Sequence, residues 1–340
     1  AEWNTRCEAQ IMLGYRAFGK TGLNISPLSF GGGAVGGLLI DADDDTRRQA
    51  LLTAFDAGIN WIDTAPSYGQ GKSEDAIGAL LEDMDANPYI STKFVIDTRN
   101  LSDISGQIHR SLEESLKRLK RDAVTLLQLH NPIGQVTGGR TLGIAEILRS
   151  HGVLDTLETL KNQGLIHLCG ITALGETMPI IKILKSNRLD SAQVYFNMLN
   201  PSAAFTPPPS WPCYNFTGIM DTCREHDVAV MNIRVFSAGV LATDERTGKE
   251  RPLTPGDTVE TETEKARAIF ALLGNDYGTS AQTALRFALA EEKIATTVLG
   301  LASIDHLQEA LAGASMGPLP MDAMERIRAA YTGYPTGQAS

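Results

Sequence analysis

From Leu28 onward, short apolar runs alternate with longer stretches in which apolar residues recur every three or four positions. The short runs read as buried strands at Leu28–Phe30, Trp61–Thr64, Ile90–Lys93, Val124–His130, Ile166–Ile171, Ala192–Tyr195, Ala229–Ile233 and Thr297–Gly300. The longer stretches read as helices at Asp45–Ala57, Ser73–Leu81, Ile104–Lys120, Leu154–Asn162, Met178–Lys185, Ile219–His226 and Ala281–Ala290. Leu307–Leu311 belongs to an eighth, and Met321–Tyr331 adds a helix near the end. Gly58 and Gly164 stand where helix C-caps are expected. Strands apolar on both faces, each followed by a helix, predict a parallel sheet. Strand–helix units that succeed one another without a linker favour a closed (β/α)8 TIM barrel, with an open doubly wound sheet as the alternative.

Ahead of the first strand, Tyr15–Phe18 and Leu23–Ser26 flank Gly19-Lys20-Thr21-Gly22, which predicts an N-terminal β-hairpin. Residues 1–12 read as a polar tail, with Met12 a natural start for the barrel, and residues 13–340 as one barrel domain. Asn131–Gly152, Asn200–Thr217 and Phe236–Glu262 are longer than strand–helix connections require. They are expected at the C-terminal mouth, and the Pro- and aromatic-rich second one, with Trp211, Tyr214 and Phe216, is expected to shape a substrate pocket.

Hydrophobic residues make up 43% and charged residues 21%, the balance of an ordinary globular chain. A net charge of −10 argues against nucleic acid or an anionic membrane as partner, since phosphates would be repelled. No apolar run approaches the ~20 residues needed to span a bilayer. Cys7, Cys169, Cys213 and Cys223 form no CxxC pair, no metal site is expected, and no basic-then-apolar leader precedes residue 12. Reduced thiols and a cytoplasmic location are the expectation.

Gly31-Gly32-Gly33-Ala34-Val35-Gly36 satisfies GxGxxG. In a dinucleotide fingerprint the last glycines open a helix whose N-terminus holds the pyrophosphate. Here they run into Leu38-Leu39-Ile40 and then into acidic residues from Asp41 to Asp45, which would repel phosphate, so no helix is expected before that stretch. The glycines are read as a permissive turn where backbone approaches a ligand.

The polar residues that interrupt this pattern stand where a barrel puts its chemistry, at the C-terminal ends of strands. Asp63 ends the second strand and Tyr68 comes after it in a loop. Lys93 ends the third, and His130 the fourth. Singly, each has a plainer reading: a helix cap, a packed ring, a local hydrogen bond. Jointly they suit proton transfer to an alkoxide formed by hydride transfer. A phenol titrates near ~10 and needs help to exchange a proton near neutrality. A neighbouring ammonium stabilises phenolate, a carboxylate keeps the ammonium charged, and an imidazole can donate to the carbonyl oxygen.

Asp63-Thr64-Ala65 with Tyr68-Gly69, then Ser91-Thr92-Lys93, then Leu126-Leu127-Gln128-Leu129-His130 resemble the Asp/Tyr/Lys/His tetrad of the aldo-keto reductase superfamily. The resemblance runs from about Tyr15 to Gly313 and includes the Gly19-Lys20-Thr21-Gly22-Leu23 turn and the Ser111–Leu119 helix. It implies a (β/α)8 barrel with a nicotinamide cofactor extended across the mouth. Tyr68 would exchange the proton, Lys93 and Asp63 would tune it, and His130 would orient the substrate oxygen. The runs Phe30–Gly37 and Val298–Ser303 most resemble the L-galactose dehydrogenase, aldose 1-dehydrogenase and pyridoxal dehydrogenase branches.

The resemblance also implies cofactor contacts. Gly31 and Gly32 would approach the cofactor with their backbone. Thr172 stands for a nicotinamide-binding Ser, although Ala173 replaces the Asn that comes next in the family, and Gln193 matches an amide-binding Gln. Arg234 suits a pyrophosphate. Phe236, Ser237 and Gly239 come next, and Gly300, Ser303 and Glu309 lie after strand eight, where Ala302 replaces a family cation for the 2′-phosphate. NAD or NADP is expected, with NAD favoured. The leading expectation is oxidation of an aldose at its hemiacetal carbon to the lactone. NADPH-dependent reduction of aldehydes or ketones is the alternative. A cofactor-sensing regulatory subunit, as the superfamily's potassium-channel β subunits are, is the reading from another class.

Overall fold

The eight apolar runs pair in one closed ring of parallel strands in a computed structural model. Residues 13–334 are described, apart from 34, 247, 249, 253 and 255, so the expected tail at 1–12 lies outside the described residues. The strands are β1 (Leu28–Gly31), β2 (Trp61–Asp63), β3 (Tyr89–Phe94), β4 (Val124–Leu129), β5 (Ile166–Thr172), β6 (Ser191–Tyr195), β7 (Ala229–Ile233) and β8 (Ile294–Gly300). The ring closes where Thr297 of β8 pairs with Leu28 of β1. Each strand is succeeded by a helix: α1 (Asp44–Asp56), α2 (Lys72–Asp83), α3 (Ile104–Leu119), α4 (Val153–Asn162), α5 (Thr177–Leu184), α6 (Ile219–Glu225), α7 (Ser280–Leu289) and α8 (Ile304–Ser315).

Alternation sorts the strand side chains into two layers. Ile62, Ile90, Phe94, Leu127 and Leu129 face outward and join the helices in the main hydrophobic core. Trp61, Leu126, Leu168, Ala229 and Met231 face inward and form a separate cluster with Phe18 and Ile25 of the predicted hairpin. That hairpin pairs Arg16–Ala17 with Asn24–Ile25 and closes the N-terminal end of the barrel, with the Phe18 ring 4.8 Å from Trp61. Arg16 pins it by donating to the Ile294 carbonyl at 2.7 Å and the Leu289 carbonyl at 3.1 Å. The floor is therefore apolar and sealed, and polar chemistry is left to the opposite end.

Among the described residues, two helices of more than ten residues lie outside the repeat, Val259–Leu273 between β7 and α7, and Met321–Gly333 after α8. The first takes in residues expected as loop. The third long segment is therefore partly helical from Val259, with a capping box between Thr258 and Thr261 at its start. Within Asn131–Gly152, Ile133–Gly134 pairs with Leu142–Gly143, and Ile144–Leu148 is helical. In Asn200–Thr217 the aromatics are spent on packing: Trp211 is buried 4.8 Å from Tyr331, and the Tyr214 hydroxyl donates to the Gly175 carbonyl at 2.7 Å. Among the described residues no helix is long and apolar enough to cross a membrane.

Candidate active site

Period-two alternation carries the chemistry upward along the same inward faces. Two residues above Trp61 comes Asp63, two above Ser91 comes Lys93, and two above Gln128 comes His130. Register sets these strand ends side by side, because Asp63 pairs with Ser91 and Lys93 with Gln128. Tyr68 reaches the same place from the turn between β2 and α2, where its N–H donates to the Ala65 carbonyl at 3.0 Å. All four expected residues are thus brought together at one rim.

Asp63 is the hub. Its Oδ2 accepts from Lys93 Nζ at 2.7 Å, and its Oδ1 accepts from Ser91 Oγ at 2.6 Å and Gln193 Nε2 at 2.7 Å. Gln128 Nε2 adds a longer contact at 3.5 Å, and Lys93 also donates to the Thr64 carbonyl at 2.8 Å. Both charges are buried, with Lys93 1% and Asp63 3% exposed, so each depends on the other and on these hydrogen bonds. Burial pulls the Lys93 pKa down, but Asp63 and the Tyr68 phenol outweigh it and the net shift is upward, so the ammonium stays charged. Lys93 Nζ lies 4.9 Å from the Tyr68 ring centre, and the His130 ring meets Tyr68 edge-on at 6.1 Å.

Burial, then the charges of Lys93 and Arg140, push the His130 imidazole down from 6.5 to about 3. Neutral imidazole keeps one N–H, which can donate to a carbonyl oxygen without competing for the proton. The depressed value also sets a sign for stability. Between about pH 6.5 and about pH 3 the unfolded chain takes up a proton that the folded chain refuses. The contribution is whole above that window and lost as pH falls through it. His130→Gln is therefore expected to narrow the difference in urea-unfolding free energy between about pH 7 and about pH 4. An unchanged difference would mean that the imidazole is not held neutral.

A cavity of about 280 Å³ opens beside Lys93 and His130, with Pro66, Ser67, Val95 and Ser111 on its walls. It combines apolar surface with hydroxyls, a lining suited to a small organic molecule.

The cofactor candidates differ in how free they are. The buried Thr172 hydroxyl has no hydrogen-bond partner, an orphaned group suited to a nicotinamide amide, and Ala173 beside it offers no side-chain hydrogen bond. Gln193, in contrast, gives its amide N–H to Asp63, leaving its carbonyl oxygen for any ligand. Arg234 donates to the Arg251 carbonyl at 2.6 Å, and Ser237 donates to Glu262 Oε2 at 2.8 Å. Phe236 packs against the core, while Gly239 and Gly300 border open space. Ser303 caps α8, and Glu309 accepts from Thr279 Oγ1 at 2.6 Å.

The glycine run needs a correction. A Cβ on Gly31 would lie 2.3 Å from the Leu299 carbonyl oxygen, and one on Gly36 2.2 Å from that of Leu301. Gly31 and Gly36 admit the backbone of β8 and of the residue after it without a positive φ, while the turn itself closes with the Gly37 N–H donating to the Gly33 carbonyl at 3.0 Å and Gly37 at φ 79°. One helical turn, Leu38–Asp41, does form ahead of the acidic stretch, because Leu38 and Leu39 have core to bury.

Ser91 and Gln128 went unmarked in the sequence although both face the site two residues before a tetrad member. Inward alternation alone would have found them. That Gln193 reaches Asp63, 130 positions earlier, only the closed barrel could tell.

Comparison with known proteins agrees with this geometry. The Aldo/keto reductase family model matches residues 27–332. The chain is 27% identical to the D-threo-aldose 1-dehydrogenase of a Pseudomonas species over 256 residues, 67% of this chain and 71% of that protein. It is 29% identical to the L-galactose dehydrogenase of Arabidopsis thaliana over 162 residues, spanning about half of each chain, 47% and 48%. In fold it is similar to the holo form of an aldo-keto reductase from Bacillus halodurans, with a TM-score of 0.71 at 22% identity, covering 94% of this chain and 96% of that one.

Proposed function

The chain belongs to the aldo/keto reductase family, and on that premise we propose that it is an oxidoreductase that oxidises an aldose at its hemiacetal carbon to the lactone with NAD. The observation that carries the reading is the buried Asp63–Lys93 pair at 2.7 Å with Tyr68 over the ammonium. A bound nicotinamide would accept or supply the hydride. The chain's own residues do the rest. Tyr68 takes the proton from the C1 hydroxyl in oxidation, or gives one to the carbonyl oxygen in the reverse direction. Lys93 stabilises the phenolate form of Tyr68, the form that accepts the proton in oxidation and is left behind in reduction, and Asp63 holds Lys93. His130 donates its N–H to the same substrate oxygen and fixes its direction. Thr172 would hold the carboxamide, and Gly300, Ser303 and the β7 loop from Arg234 to Gly239 would lie along the rest of the cofactor.

The choice of NAD rests on the loop between β8 and α8. Ala302 is exposed and Asp305 stands in the first turn of α8, so this loop has no fixed cation for a 2′-phosphate. The relatives' names favour a sugar as substrate. The test is the near-ultraviolet absorbance of reduced nicotinamide, with NAD and with NADP, against aldoses, pyridoxal and simple aldehydes. Aldose-dependent reduction of NAD is expected. Turnover only as NADPH consumption with aldehydes would make the chain a reductase, and no turnover with any pair would favour a regulatory subunit. Ala302→Arg is expected to raise the ratio of NADP to NAD catalytic efficiency by about tenfold, the effect of one charge-assisted contact. An unchanged ratio would refute the cofactor placement.

A further inference from the structure

The segment after β4 folds back over the strand end. Asn131, next to His130, is buried, and its side chain clamps two stretches of backbone. Its Oδ1 accepts from the Ile96 N–H at 2.7 Å, and its Nδ2 donates to the Ile96 carbonyl at 3.0 Å and the Arg140 carbonyl at 3.1 Å. Gly138 and Thr141 exchange backbone hydrogen bonds at 3.0 and 2.9 Å, which closes a tight turn with Gly139 and Arg140 at its tip. Thr98 Oγ1 holds the tip from the β3 side, donating to the Gly139 carbonyl at 2.5 Å. The turn is pinned on two sides, and Arg140 is tied through its own carbonyl to the neighbour of His130.

The turn presents an unspent cation. Arg99 is committed to Asp97 at 2.8 Å, and Arg110 to Asp103 at 2.8 Å. The Arg140 side chain makes no hydrogen bond or ion pair among the described residues and is exposed. Its charge is nevertheless felt at His130, where it helps to hold the imidazole neutral. In a chain of net charge −10 a guanidinium has many acids to pair with, yet this one is left unpaired on a turn whose backbone is held by Asn131, the neighbour of His130. A guanidinium fork fits the paired oxygens of carboxylate or phosphate.

We propose that Arg140 is a specificity-determining residue that binds an oxyanion on the substrate, so that the chain prefers an aldose or aldehyde carrying an acid group over its neutral counterpart. This rests on the proposed oxidoreductase reading, with the substrate oxygen at Tyr68 and His130. The acid group sits a short distance from the reacting carbon, as in a uronic acid or a sugar phosphate.

The experiment compares glucose, glucuronate and glucose 6-phosphate as substrates of the native chain, Arg140→Gln and Arg140→Lys. The native chain is expected to favour an acidic sugar. Arg140→Gln raises the KM of that sugar roughly ten- to a hundredfold, the range of a charge-assisted hydrogen bond, and leaves kcat and the glucose constants within about twofold. Arg140→Lys recovers part of the loss. Whichever acidic sugar responds identifies carboxylate or phosphate as the anion. Equal changes for all three sugars, or no acidic preference in the native chain, would overturn the proposal while leaving the oxidoreductase reading intact. A readout free of turnover separates the two further: glucuronate or inorganic phosphate is expected to raise the His130 pKa, tracked by NMR, in the native chain but not in Arg140→Gln. A shift equal in both proteins refutes the role of Arg140, whereas an Arg140-dependent shift without turnover of any sugar refutes only the reaction.

Discussion

Tyr68→Phe is expected to lower turnover by about 10²–10⁴-fold, the usual contribution of a positioned acid–base group, while nicotinamide binding stays within about twofold. The change removes a single oxygen. The ring that remains still lies over Lys93 at 4.9 Å, beside His130 at 6.1 Å, and 3.8 Å from where a Cβ of Gly33 would sit, so the packing of the rim is kept. Because the loss falls on the proton-transfer step, kcat should drop while KM moves little. Stopped-flow turnover and a fluorescence titration of the cofactor separate the two quantities. A Tyr68→Phe protein of near-native activity would sink the assignment of all four residues, since Lys93 and Asp63 have no other phenol to serve.

Lys93→Met acts on fold and chemistry at once. It strands the buried Asp63 carboxylate with only neutral donors, Ser91, Gln193 and Gln128. Removing one partner of a buried ion pair costs about 3–5 kcal/mol, a large part of the ~5–15 kcal/mol that holds a domain folded. A marked fall in the urea midpoint and loss of turnover are expected together. The double variant Lys93→Met with Asp63→Asn tells the two apart, since it leaves no unpaired charge. Its stability should recover while its activity should not. If Lys93→Met alone were as stable as the native chain, the pair would contribute nothing to the fold.

The barrel is legible in the sequence because strands buried on both faces leave apolar runs, and all eight runs lie within a few residues of the strand ends. The tetrad is legible because charged residues stand out at the ends of such runs. Val259–Leu273 is not legible. Its buried stripe includes Glu262 and Lys265, which hide their charge against Ser237 and against Asp257 and the Pro212 carbonyl, so no apolar period marks it. Nor is the link from Gln193 to Asp63 legible, because β6 meets β2 across the barrel only once the ring closes, whereas Ser91 and Gln128 sit on neighbouring strands. The glycine run is hard to read for a related reason, since Gly31 and Gly36 answer to Leu299 and Leu301, more than 250 positions away.

That same seam bears on how the molecule is made. β1 precedes the other strands of the ring, yet its partner β8 begins at Ile294, so the β1 edge waits until every other strand of the ring has been synthesised. Contacts of such long sequence separation are slow to form, since the loop entropy must be met before the pairing rewards it. Until β8 arrives, the incomplete sheet has an open edge and its glycine-rich rim has no backbone to dock against. The tetrad strands can pair before that, but Gln193 reaches Asp63 and the β1–β8 seam forms only in the closed ring, which makes ring closure the step that completes the site.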